Sequence, residues 1–387
     1  MNDQTLLSGN HERHTGHKVK YLTKIEQITQ LTPDEIKDLA AVEDKFAFRV
    51  TDYYSRLIDW NDPDDPLRKL VVPDAEELVD WGKLDASDEA YFTAIPGLEH
   101  KYQDTALLLC NDVCGAFCRY CFRKRLFMPE NTETVKDVSA ALHYIRQHTE
   151  INNVILSGGD PMIMSTHKLD RIIAPLMEIP HLKIVRIGTK MLAFNPYRVL
   201  DDPDLLLMLK KYNEGSGKKI YVMTHFTHPR ELTAEAVSAV KLLQNAGCTL
   251  LNQTPLLKGI NDTPDIVADL CNQLASIGIP PYYLIICRPT LGNKPYVLPI
   301  EEAYRTFIES KRHLSGLART ARLIMSPKVG KLEIIGLHAG QILFRYHRAA
   351  KKDNEGEIFA FTQNPGAFWF TDYQEVKNET YSITQNL

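Results

Sequence analysis

Six short runs rich in β-branched and aromatic residues, each followed by an amphipathic segment, constrain the fold of this 387-residue chain more than any other feature. The runs are TALLLC (105–110), NNVILS (152–157), LKIVRIG (182–188), KIYVMTH (219–225), CTLLNQ (248–253) and PYYLIIC (281–287). Runs of this length and composition read as buried strands. The segments between them carry helix-end signals. Thr134 is placed to cap a helix bearing Val138, Leu142 and Ile145, Thr233 opens one that stops at Gly247, and Thr263-Pro264 opens one that runs to Gly278. Strand–helix units in series predict an α/β fold, a parallel sheet with helices outside, rolled into a partial (β/α)6 barrel. Chemistry in such folds sits at the C-terminal ends of the strands.

The flanks read differently and suggest three regions, 1–100, 101–300 and 301–387. Residues 1–100 read as helical, with a capping box at Thr32 and Glu35 and Pro33 in the first turn of LTPDEIKDLAAV. After residue 300 a helix (301–313) precedes strand-like ARLIMS, KLEIIGL, QILFRYH and EIFAF. That pattern predicts an antiparallel extension that closes the open barrel.

Directly after the first run, Cys114, Cys118 and Cys121 fall at C-x3-C-x2-C in CGAFCRYC. A [4Fe–4S] cluster normally takes four thiolates, so three leave one iron open for another ligand. The spacing resembles that of radical S-adenosylmethionine (SAM) enzymes, in which the open iron chelates SAM. Structural zinc is the alternative, but it calls for four ligands and no second pair follows. A disulfide framework does not suit a chain of this length with seven cysteines and no secretory signal. Cys110, Cys248, Cys271 and Cys287 fit ordinary burial.

A net charge of −4 without long charged blocks gives no sign of nucleic-acid or anionic-membrane binding. No uninterrupted apolar stretch is long enough for a membrane span. Unpaired cysteines and an oxygen-sensitive cluster point to the reducing cytoplasm.

Eight colinear motifs sharpen the reading: RVTDYYSRLIDWNDPDDPLRK, IPGLEHKY, CRYCFRKRLF, ILSGGDP, IPHLKIVRIGT, THFTHPRELT, NQTPLLKGIND and PPYYLIICRP. In this order the chain resembles the lysine 2,3-aminomutase family from about residue 20 to residue 300, and more loosely beyond. The resemblance implies a [4Fe–4S] cluster, SAM, pyridoxal 5′-phosphate (PLP), an amino-acid substrate and an electron donor such as flavodoxin or ferredoxin. It also implies a homo-oligomer. In that family the adenosyl radical removes hydrogen beside a carbon whose nitrogen is carried on PLP, and the nitrogen then migrates. The cofactors do the difficult chemistry while the protein positions them.

Carried over by position, the resemblance makes Cys114, Cys118 and Cys121 the cluster ligands. Ser157, Gly158, Gly159 and Asp160 match the glycine motif at SAM's amino-acid end, and His225 and Gln253 match residues lining the SAM and cofactor pocket. Arg123 matches the clamp on the substrate's α-carboxylate, a task that suits a bidentate guanidinium; read alone, it is one of a solvated basic run.

Departures concern substrate and PLP. The two aspartates that hold the distal ammonium of lysine are replaced by Arg288 and Met325. A cation would be repelled by the first and unsatisfied by the second, so a non-lysine substrate with an anionic distal group is expected. An internal ion pair is the other role open to Arg288. Lys331 in SPKVGK best matches the lysine that carries PLP, with Lys328 in reserve, and an exposed strand lysine is the alternative. Tyr102 keeps its place near the phosphate, whereas Lys101 and Thr105 replace arginines there. The C-terminal zinc-binding cysteines of some relatives are missing, so no zinc is expected. Three readings remain: a PLP-dependent aminomutase, a PLP-independent radical SAM epimerase or dehydrogenase on the same scaffold, and a non-catalytic iron–sulfur protein.

Overall fold

A computed structural model describes residues 18–215, 217–375 and the two-residue strand at 381–382. One thirteen-stranded sheet runs through it in sequence order. The strands are β1 (Thr93–Ile95), β2 (Leu98–Tyr102), β3 (Thr105–Asn111), β4 (Asn153–Gly158), β5 (Ile184–Thr189), β6 (Lys219–Thr224), β7 (Thr249–Leu256), β8 (Pro281–Ile286), β9 (Arg322–Met325), β10 (Gly330–His338), β11 (Gln341–Ala349), β12 (Ile358–Thr362) and β13 (Tyr381–Ser382). Every pairing from β3 to β9 is parallel, and β1–β2–β3 and β9 to β13 are antiparallel.

The parallel crossovers use α2 (Ser139–Gln147), α3 (Thr166–Met177), α4 (Pro203–Gly215), α5 (Ala234–Asn245), α6 (Pro264–Ser276) and α7 (Ile300–Ser310), while α1 (Pro33–Lys45) lies before the sheet. Parallel strands need such crossovers, and the strands are buried once helices cover their outer face. The apolar cluster of β3–β7 with α2–α5 includes Leu108, Leu156, Ile173, Val185, Val222 and Leu243, all wholly buried.

Helix ends follow local chemistry. Thr32 and Glu35 make the expected reciprocal box at α1. At the end of α5, Gly247 takes φ +80° while the Gly247 and Cys248 amides donate to the Gln244 and Leu243 carbonyls. A left-handed glycine closes helices in this way. Thr134 does not cap α2: its hydroxyl accepts from Asn131 Nδ2 at 3.2 Å, and Asp137 accepts from the Ser139 amide at 2.9 Å, so the helix starts later.

Two further expectations change. The ARLIMS strand pairs parallel to β8, because α7 is long enough to serve as its crossover; the antiparallel extension begins one strand later. Among the described residues no ladder joins the edges of the sheet. Side chains bridge its two arms instead: Lys101 Nζ donates to the Pro327 carbonyl at 2.6 Å, and Arg348 pairs with Asp104 at 2.6 Å.

Residues before β1 hold short helices and a two-stranded ladder, Tyr21–Leu22 with Val50–Thr51. Their cluster, with Ile25, Val42, Tyr54 and Leu70, packs against Ala116, Tyr120, Leu257 and Cys287. These four lie beyond or near the C-terminal ends of the barrel strands, so the N-terminal region covers the face where the loops converge. No helix of the described residues is long and apolar enough to cross a membrane.

Candidate active site

The cysteine loop leaves β3 and is fixed from three sides. Its Phe117 and Arg119 amides donate to the Arg49 and Leu70 carbonyls at 2.9 Å each. Buried Arg119 forms a bidentate pair with Glu77 at 2.8 and 2.8 Å, and Lys124 reaches the same carboxylate at 2.8 Å. Burial opposes charge on Glu77, but Arg119 and Lys124 outweigh it and hold the carboxyl below its usual range.

Beneath the loop, Gly158 and Gly159 lie against residues 111–113. A Cβ on Gly159 would stand 2.4 Å from the Val113 carbonyl oxygen, and Gly158 has φ +110°. Only glycine permits this approach. Asp160 is buried, accepts from the Lys190 amide at 2.7 Å and Thr189 Oγ1 at 3.0 Å, and is pushed up to about 6 mainly by desolvation. Ser157 Oγ accepts from Arg123 Nη1 at 3.0 Å.

Cys114, Cys118 and Cys121 are half-buried, while Cys110, Cys248, Cys271 and Cys287 are buried. Desolvation raises the thiol pKa of Cys114 first, and Asp160, Cys121 and Cys118 add to it, which places the three sulfurs within reach of one another's charge. They do not all lie within 4.8 Å of one another; among the described residues only His100, His148 and Glu150 bring donor atoms that close. A single zinc ion needs sulfurs about 4 Å apart. Three separated thiols fit the corners of a polynuclear cluster, which needs thiolates and an electropositive surrounding of the kind that Lys190, Arg123 and Lys124 provide.

His225 lies just past β6. Burial, then Lys190, pushes its pKa down to about 3, so the imidazole is neutral, and it shares a 3.1 Å hydrogen bond with Tyr120 of the cysteine loop. Lys190 is fully engaged by the His225 carbonyl, Thr227 and Glu231 at 2.8–2.9 Å. Gln253, in β7, is half-buried and opposes Tyr283 in register.

Arg123 is buried rather than solvated. Its Nη2 meets Glu89 Oε1 at 2.6 Å and stands 3.9 Å from Glu99. Arg125 holds the other Glu89 oxygen at 2.6 Å. Arg288 stacks on Phe122, 3.9 Å from its ring centre, and its buried Nη1 has no hydrogen-bond partner. No salt bridge of Arg288 is found among the described residues. Met325 is wholly buried in the apolar cluster of Leu323, Leu332 and Phe344, so it lines no polar cavity.

Lys331, the second residue of β10, has its Nζ 4.4 Å from the Tyr283 ring centre, and among the described residues that amine has no ion-pair or hydrogen-bond partner. Desolvation, then Arg186, Arg348, Arg288 and Lys101, brings its pKa down to about 7. Lys328 is exposed over Tyr91. Tyr102 lies under the Arg348 guanidinium at 4.9 Å, and Thr105 donates to Asp104 at 2.7 Å. Arg348, Glu77 and Glu89 stand in no motif of the sequence, and Glu99 and Arg186 lie within IPGLEHKY and IPHLKIVRIGT without a role assigned there. A charged residue inside an apolar strand, as Arg186 is in LKIVRIG, was the one available signal.

No family model matches the chain. It is 54% identical to a protein of Aquifex aeolicus named provisionally as an L-lysine 2,3-aminomutase, over 94% of this chain and 97% of that one. It is 35% identical to the L-lysine 2,3-aminomutase of Clostridium subterminale over 81% and 74%. With the glutamate 2,3-aminomutase of Clostridioides difficile it shares 30% identity over 83% and 75%.

Proposed function

Because the chain belongs to the lysine 2,3-aminomutase family of radical SAM enzymes, we propose that it shifts the α-amino group of a non-lysine amino acid to the neighbouring carbon with PLP held on Lys331. The family uses a [4Fe–4S] cluster and SAM, and here Cys114, Cys118 and Cys121 are the residues that fit the cluster. PLP, when bound, supplies the π-system that lets nitrogen pass between adjacent carbons.

The observation that carries the PLP reading is the state of Lys331. A lysine is a nucleophile only as the free amine, and burial among cations is the recognised way to keep it so at neutral pH. Lys331 is half-buried, and desolvation with the cations around it and no carboxylate beside it favours the free amine. Arg186, Arg348 and Lys101, the cations around it, suit the phosphate. Arg123 fits the substrate's α-carboxylate, with Glu89 fixing its orientation. Arg288, with a free buried donor, favours an anionic distal group and disfavours the ammonium of lysine. An electron donor would supply the reducing equivalent, and Ser157, Gly158, Gly159, Asp160, His225 and Gln253 are the residues that would hold SAM.

The test is reduction with borohydride after incubation with PLP. The wild-type protein is expected to retain a covalently fixed chromophore that Lys331→Ala lacks. A neutral amine is required, so the fixed yield should rise as pH increases through about 7, where Lys331 gives up its proton. No fixed chromophore at any pH would transfer the assignment to a PLP-independent radical SAM reaction such as epimerisation or dehydrogenation.

A further inference from the structure

Buried polar atoms without partners are rare in folded proteins, and each one asks for an explanation. Three of those among the described residues belong to one group of charges: Glu99 Oε1, Arg125 Nη1 and Arg288 Nη1. Glu99 and Lys101 share one face of β2, while His100 between them turns to Tyr144 of α2 on the other. Glu99 therefore faces the same interior as Arg288, and the two influence each other's ionisation.

We propose that Glu99, as a neutral carboxylic acid, joins Arg288 in a two-point reader for a distal carboxylate, which assigns this position to dicarboxylic amino acids of the glutamate and aspartate class. The inference rests on the anionic-substrate reading above and adds a second residue to it.

The surroundings favour the neutral form. Glu99 is 7% exposed, and its nearest cation, Arg123 Nη2 at 3.9 Å, is already bound by Glu89 at 2.6 Å. A buried carboxylate without a close donor loses its hydration for nothing in return. A protonated carboxyl has an O–H to give, and a substrate carboxylate beside Arg288 could accept it. The groups facing Glu99 are Glu89 from the short helix 89–92, Arg123 and Arg125 from the loop after the cysteines, Arg288 from beyond β8, and Lys101 from its own strand. Desolvation, then Glu89, pushes the Glu99 pKa well up, against the opposing arginines. The stacking of Arg288 on Phe122 fixes the plane of its fork, so its free Nη1 donor is held for a ligand rather than left to wander.

The sign follows directly. As pH rises, Glu99 ionises, loses its donor and repels a distal carboxylate, while a distal amide has no charge to repel. The test is isothermal titration calorimetry of the holoenzyme, reconstituted anaerobically with cluster, SAM and PLP, against L-glutamate and L-glutamine from neutral to alkaline pH. The ratio of their affinities cancels the titration of the shared α-groups. In the wild type, preference for L-glutamate is expected to fall about tenfold, the factor that one unit of pKa linkage carries. Glu99→Gln keeps a donor that cannot ionise, so its ratio should be flat.

A preference for L-glutamate that stays constant with pH in the wild type would overturn the role of Glu99 and leave Arg288 untouched. That measurement needs no variant, so misfolding of Glu99→Gln cannot hide it. If L-glutamate binds no better than L-lysine at every pH, and Arg288→Met changes neither, the anionic-substrate reading itself fails.

Discussion

Two neighbouring parts of the barrel interior differ in how their charges are satisfied. Around the cysteine loop almost every charge has a protein partner: Glu77 takes Arg119 and Lys124, Glu231 takes Lys190 and Tyr54, and Asp160 takes two backbone amides and Thr189. Around Arg288, Glu99 and Lys331 the partners are missing. A loop that must hold a cluster at fixed distances gains from a rigid, saturated surrounding. A surface that must take up and release a ligand gains from groups left unpaired until it arrives.

The largest expected effect tests the cysteines as a set. Replacing Cys114, Cys118 or Cys121 by alanine should abolish both iron retention after anaerobic reconstitution and SAM cleavage. Cys110→Ala, Cys248→Ala and Cys271→Ala, at buried positions, should retain iron like the wild type. Equal iron loss in both groups, measured by iron analysis and absorbance, would erase the distinction between half-buried ligands and buried core thiols.

Next is the saturated part itself. Glu77→Ala leaves buried Arg119 and Lys124 without their carboxylate, and breaking a buried pair by removing one partner costs about 3–5 kcal/mol. Glu333→Ala removes a partner of Arg345, which is partly exposed on β11, and should cost about 1 kcal/mol or less. Denaturant unfolding compares them. Similar losses would mean that Glu77 is not the anchor of the loop.

How far the sequence carried this picture depends on the kind of signal. The six apolar runs became strands within three residues of the expected limits, because period and composition act locally. The parallel pairing of Arg322–Met325 was not legible, since direction depends on whether the intervening segment crosses the sheet, which no pattern in ARLIMS encodes. The cysteine loop and glycine motif were legible through their spacing. Glu77, Glu89 and Arg348 were not, because each meets its partner across 34 or more residues and stands in no motif. Met325 illustrates the converse: an aligned position suggested a substrate contact, and packing put the side chain into the core.

The smallest effect tests how the N-terminal cover is tied to the barrel. Thr233 and Thr263 both precede helices, yet only Thr233 caps: its Oγ1 accepts from the Ala236 amide at 3.1 Å, while Thr263 makes no side-chain cap. The Thr233 hydroxyl also meets Tyr53 OH at 2.6 Å, across 180 residues. Thr233→Ala should therefore cost about 1–2 kcal/mol, the range of a lost cap, with Thr263→Ala within about 0.5 kcal/mol of wild type. Tyr53→Phe should cost about 0.5–1.5 kcal/mol by removing one hydrogen bond. Combined with Thr233→Ala it should cost less than the sum, since both remove the same contact. Strict additivity in that cycle would show that the Tyr53–Thr233 contact does not tie the cover to the barrel.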